Sequence, residues 1–112
     1  MTRASDLARL IGAGATINDG TTITTADNDP QLTLVSTDED VNAGPVLDLY
    51  RNSASPADGD LLGRIKFTGE SSGTGIHTYG LIDMEVNGVN DGNEQAKMIF
   101  KVSLPDGDLQ NI

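Results

Sequence analysis

The stretch Lys97-Met98-Ile99-Phe100-Lys101-Val102-Ser103 decides the fold. Met98, Phe100 and Val102 share one parity, while Lys97, Ile99, Lys101 and Ser103 take the other. Successive side chains of a strand point to opposite faces, so this alternation predicts a strand with one apolar face and one face carrying two lysines. Upstream, Ile76, Ile82, Met84 and Val86 share a parity that Gly80 interrupts. Ile65 and Phe67 alternate with Arg64, Lys66 and Thr68. Leu47 and Leu49 alternate with Asp48 and Tyr50, and Leu32 and Leu34 with Thr33 and Val35.

Turn chemistry separates these runs, at residues 38–45, 53–60, 69–75, 87–93 and 105–108. Asp58-Gly59, Asp91-Gly92 and Asp106-Gly107 supply the backbone freedom that tight turns need. Five strands so spaced predict an all-β fold, an antiparallel β-sandwich or jelly roll. Ile65, Phe67, Ile82, Met84, Met98, Phe100 and Val102 are its expected core.

Toward the N-terminus the pattern changes. Ser5 to Gly12 reads as a two-turn helix, with Ser5 as N-cap and Leu7, Leu10 and Ile11 as one apolar stripe. A helix this short needs something to dock on. Residues 13–30 are rich in Gly, Thr, Asn and Asp, with Ile17 and Ile23 the only large apolar side chains. They read as an extended arm with a turn at Asn18-Asp19-Gly20. The expected organisation is an anchoring helix and arm over 1–30 and a β-domain over 31–112.

Composition narrows the function. Two Phe, two Tyr and no Trp among 112 residues leave little area for a core. Such a chain gains by burying surface against copies of itself. Seventeen acidic residues against seven basic ones give a net charge of −10, which disfavours nucleic acid and anionic membranes as partners. No apolar run approaches the roughly 20 residues that span a bilayer. Without cysteine there is neither a disulfide nor a thiolate zinc site.

Candidates for chemistry are few. His77 is the only histidine and has no Gly-x-Ser-x-Gly turn beside it, so it reads as a surface or interface residue. Asp83 and Glu85 share a strand face and could converge on a cation or a sugar. The other close pairs, Asp27/Asp29, Asp38/Asp40, Asp58/Asp60 and Asp106/Asp108, read as turn formers; none has EF-hand spacing. Gly12-Ala13-Gly14-Ala15 lacks the strand-turn-helix setting of a phosphate loop. The expectation is therefore a chain that is not an enzyme and holds no cofactor.

Three runs carry a resemblance: Leu32-Thr-Leu-Val-Ser-Thr-Asp-Glu-Asp40, Gly44-Pro-Val-Leu-Asp-Leu-Tyr-Arg-Asn-Ser53 and Ser55-Pro-Ala-Asp-Gly-Asp-Leu-Leu-Gly-Arg-Ile-Lys-Phe67. They resemble a module of tail fibres and other virion structural proteins of tailed bacteriophages, notably marine and cyanobacterial ones. Thr2-Arg-Ala-Ser-Asp-Leu-Ala-Arg-Leu-Ile-Gly12, Tyr79-Gly-Leu-Ile82 and Met98-Ile-Phe-Lys-Val102 fit the same pattern, and residues 44–67 are its most specific part. The resemblance implies a homotrimeric β-rich part of a virion, with a major capsid protein or a tail protein as partner. Related fibres continue into a shaft, a tip or a chaperone, whereas this sequence stops at Ile112. That favours a capsid-decoration trimer, of the cement or head-fibre kind, held by Leu7, Leu10 and Ile11. A tail-fibre module and a carbohydrate-binding module are the alternatives; a glycan hydrolase would need paired carboxylates across a cleft and an aromatic platform.

Overall fold

The computed structural model describes residues 16–73 and 75–112. The expected helix at Ser5–Gly12 and its stripe of Leu7, Leu10 and Ile11 lie outside the described residues. The chain divides into two compact units, Met1–Val46 and Leu47–Ile112, whereas the alternation alone placed a boundary after residue 30.

In the first unit the described residues form neither helix nor strand. Local side-chain bonds shape the backbone instead. Asp27, Asp38 and Asp40 accept the backbone N–H two residues on, at 3.1, 3.3 and 2.8 Å, and Thr25 and Ser36 do the same through their hydroxyls. Such bonds offer the backbone an alternative to a sheet ladder. Gly20 closes the predicted Asn18-Asp19-Gly20 turn with φ of 77°.

The second unit carries one antiparallel sheet in the order β1-β2-β3-β4, made of β1 (Leu61–Glu70), β2 (Ile76–Gly88), β3 (Gln95–Ser103) and β4 (Leu109–Asn111). The fold class is all-β, and three of the five expected strands are present. The turn glycines behave as anticipated: Gly59, Gly92 and Gly107 have φ of 89°, 80° and 87°. Gly80, which breaks the apolar parity, does not break β2. It sits between Phe67 and Val102, where a Cβ would come within 3.3 Å of the Lys101 carbonyl oxygen. The β1 ladder shifts register immediately beside it, between Phe67 and Thr68.

Two expected strands are absent. Residues 32–35 and 47–50 alternate in sequence but join no ladder among the described residues. Alternation specifies a surface that wants one face covered; a ladder also needs a partner edge. β4 was not anticipated, because three residues are too few to show a period.

Register fixes the two faces of the sheet. Ile65, Ile82 and Phe100 lie in one row; Gly63, Met84 and Met98 in the next; Phe67, Gly80 and Val102 in a third. Arg64, Asp83 and Ile99 form a row on the opposite face, beside Lys66, Leu81 and Lys101. The side chains nearest to full burial belong to the central strand: Asp83 at 1%, Leu81 at 5% and Val86 at 8% exposure. For Leu81 and Asp83 the reason lies in their neighbours. Long Arg and Lys stems on β1 and β3 flank them and shield the middle of the sheet.

The expected core residues do lie together on the apolar face, yet the single chain leaves much of that face in water. Ile65 is 44% exposed, Phe67 58%, Met98 55% and Phe100 43%, while Ile82, Met84 and Val102 are half-buried. Among the described residues no second sheet packs against this face.

Candidate functional site

Each face of the sheet offers a candidate site. On the apolar face, Leu47 and Leu49 lie beside β1, where a Cβ on Gly63 would come within 3.0 Å of the Leu49 Cβ. Arg51 holds this segment in place: its guanidinium donates to the Leu61 carbonyl at 3.0 Å and lies 3.3 Å from Asp60. A shallow depression results, lined by Leu47, Leu49, Ile65, Ile82, Met84 and Met98. At about 150–200 Å² per large side chain, the exposed parts of Leu47, Leu49, Ile65, Phe67, Met98 and Phe100 amount to on the order of 500 Å². That is at the upper end of what a monomer ordinarily shows, and not far below the roughly 800 Å² each partner gives to a standard protein interface.

The other face is charged, and its acids are engaged. The Arg64 guanidinium donates to both Asp83 carboxylate oxygens, Nε at 2.6 Å and the terminal nitrogen at 2.9 Å. This fork, together with the charge of Lys101, holds the Asp83 carboxyl below its ordinary range, against the opposing effect of desolvation. Asp83 is shut off by its immediate neighbours and not by depth, since the sheet is one layer thick and 45% of the Arg64 side chain is in water. Glu85 pairs with Lys97 at 2.8 Å. Asp83 and Glu85 thus share a face as the sequence suggests, but each carboxylate is already held by a base from a neighbouring strand. Among the described residues, no group of three or more His, Asp or Glu side chains comes together as a metal site. Asp106 and Asp60 make local turn bonds, accepting the Asp108 N–H at 3.0 Å and the Ala57 N–H at 3.1 Å, whereas Asp58 reaches across to the loop after β2 and accepts the Val89 N–H at 3.1 Å, 31 residues on.

Beyond the last β2–β3 ladder pair, Gly80 with Val102, His77 Nε2 lies 3.0 Å from Ser103 Oγ, with the Tyr79 ring edge-on to the imidazole at 4.9 Å. Nothing in the local sequence singles out Ser103, because it lies 26 residues from His77 and only the folded hairpin of β2 and β3 brings the two together. A histidine beside a serine is two-thirds of a nucleophilic triad. Among the described residues no carboxylate is bonded to the imidazole, and Ser103 stands on a regular strand instead of a sharp turn. The Tyr79 hydroxyl donates to the Glu70 carbonyl at 3.3 Å, which ties the end of β1 to β2.

No protein-family model matches the chain, and comparison with curated proteins and with solved structures gives no significant match.

Proposed function

We propose that this chain is a non-catalytic structural protein of a bacteriophage virion, a self-associating β-module that decorates the capsid and is held there by residues 1–30. One observation carries the self-associating part. The sheet is a single layer, and its apolar face, from Phe67 and Ile65 through Met98 and Phe100, is left in water. Burying that face against copies of the chain supplies the core that two Phe and two Tyr cannot build in one copy. Three copies about a threefold axis would place three such faces against one another and complete a closed, two-sided β-structure in place of the sandwich expected of one chain. The virion location rests on the sequence resemblance of residues 32–67, with a major capsid protein as partner. A tail-fibre location shares the same oligomer and differs in copy number.

Two measurements test the reading. Sedimentation equilibrium at micromolar concentration should give a trimer; a folded monomer would overturn the self-associating reading. Quantifying the protein against the major capsid protein in purified virions should give hundreds of copies per particle. A few tens or fewer would move it to the tail, and absence from particles would end the virion assignment.

A further inference from the structure

The sheet of the second unit is open along part of one edge. β3 runs for nine residues, Gln95–Ser103, but β4 pairs only with Lys101, Val102 and Ser103, and the Ile112 N–H takes the Phe100 carbonyl. Among the described residues nothing pairs with the outer side of residues 95–99. Such an edge is a ready template for another strand. The opposite edge, β1, is a poorer template. Its ladder shifts register twice, between Leu61 and Gly63 and between Phe67 and Thr68, and Arg51 occupies the Leu61 carbonyl. Irregularities of this kind obstruct strand addition.

The first unit carries a segment of the complementary kind. Residues 31–37, Gln-Leu-Thr-Leu-Val-Ser-Thr, are uncharged and alternate as a strand should, yet among the described residues they make no backbone-to-backbone hydrogen bond. Leu32, Leu34 and Val35 are 64%, 44% and 77% exposed. Pro30, just ahead, suits the start of an edge strand. Charge agrees as well: β3 bears Lys97 and Lys101 and no acid, while the segment is bracketed by Asp27 and Asp29 on one side and Asp38, Glu39 and Asp40 on the other.

We propose that residues 31–37 of one copy add as a strand to the open edge of β3, Gln95–Ile99, in a second copy. Leu32 and Leu34 then extend the apolar row of Ala96 and Met98, and Thr33 and Val35 join Lys97 and Ile99 on the charged face. This inference rests on the self-associating reading and names one of its contacts. It also accounts for a segment that has the sequence of a strand and pairs with no strand among the described residues.

Because the chain has no cysteine, disulfide trapping starts from a clean background. Thr33→Cys or Val35→Cys, in a full-length chain, is mixed with a differently tagged chain carrying Lys97→Cys or Ile99→Cys, then oxidised mildly. At least one of the four same-face combinations should convert most of the protein to a covalent heterodimer, lost on reduction. The opposite-face control, Leu34→Cys with Lys97→Cys, should give at least tenfold less. Trimers by sedimentation with no face-selective cross-link would overturn the edge pairing and leave the apolar-face association standing. Double variants that close their disulfide within one chain would show that the segment completes its own sheet, which also overturns the proposal. A monomer without cross-links would remove both readings.

Discussion

Arg64 on β1 grips Asp83 on β2 with both arms of its guanidinium, at 2.6 and 2.9 Å, in the most buried acidic position among the described residues. Directly across the ladder from each other, the two lock the β1–β2 register. A one-residue slip of β1 against β2 would send Arg64 to the apolar face, away from Asp83.

Arg64→Met should therefore lower the melting temperature well beyond what Lys97→Met does. Removing Arg64 strands a carboxylate that is 1% exposed. Lys97 and Glu85 remain 50% and 25% exposed, and a pair so wetted contributes about 0–1 kcal/mol. Equal losses by thermal denaturation would mean that Asp83 finds other partners.

Acid should weaken the fold through the same carboxyl. Its folded pKa is lowered from the ordinary 3.8, chiefly by the bonds from Arg64. A lowered folded pKa gives stability that is fully present above the unfolded value and lost as pH falls through the folded one. Asp83→Asn should thus be less stable than the parent at neutral pH. The gap should close as pH drops below about 4 toward the folded value. Urea midpoints measured from pH 7 to pH 2 check this; parallel curves would remove Asp83 from the acid response.

Phe67→Ser and Phe100→Ser probe the apolar face. With 58% and 43% exposure in one chain, neither can contribute a full core side chain there. Each should cost the isolated sheet under about 1 kcal/mol, yet dissociate the oligomer, where truncating a buried Phe typically costs about 3–5 kcal/mol. Lys101→Ala, on the opposite face, should leave the oligomer intact and act only on the sheet, through lost cover of Leu81 and lost charge beside Asp83. Sedimentation combined with denaturation separates the two effects.

Gly63 tests the placement of residues 47–51. An alanine there would set its Cβ at 3.0 Å from Leu49 Cβ and 3.2 Å from Cδ1. The cost should be about 1 kcal/mol, as for mild overpacking, and Leu49→Ala in the same chain, which removes the Cδ1 contact but keeps the Cβ, should recover part of it. A double-mutant cycle without coupling would place Leu49 elsewhere.

The sequence showed the sheet best where alternation and turns agreed. Met98, Phe100 and Val102 sit on one face as their spacing requires, and the Asp-Gly pairs close turns with left-handed glycines. Alternation alone was insufficient at Leu32 and Leu34, because a period reports what a segment would bury and not whether an edge is within reach. Arg64 with Asp83, and His77 with Ser103, could not be read from spacing at all. They are 19 and 26 residues apart, and only the folded sheet brings each pair together. The missing second layer has a similar origin: a sequence specifies an apolar face without saying whether the cover comes from the same chain.

Every hydrogen-bonded neighbour in the order β1-β2-β3-β4 is also the next strand along the chain. No pairing has to wait for a distant segment, so the loop-closure entropy of each step is small and the sheet can zip up one hairpin at a time. During synthesis, β1 and β2 can pair while β3 is still being made. In the proposed oligomer, the step that follows this local zipping is the encounter of copies, whose rate rises with concentration.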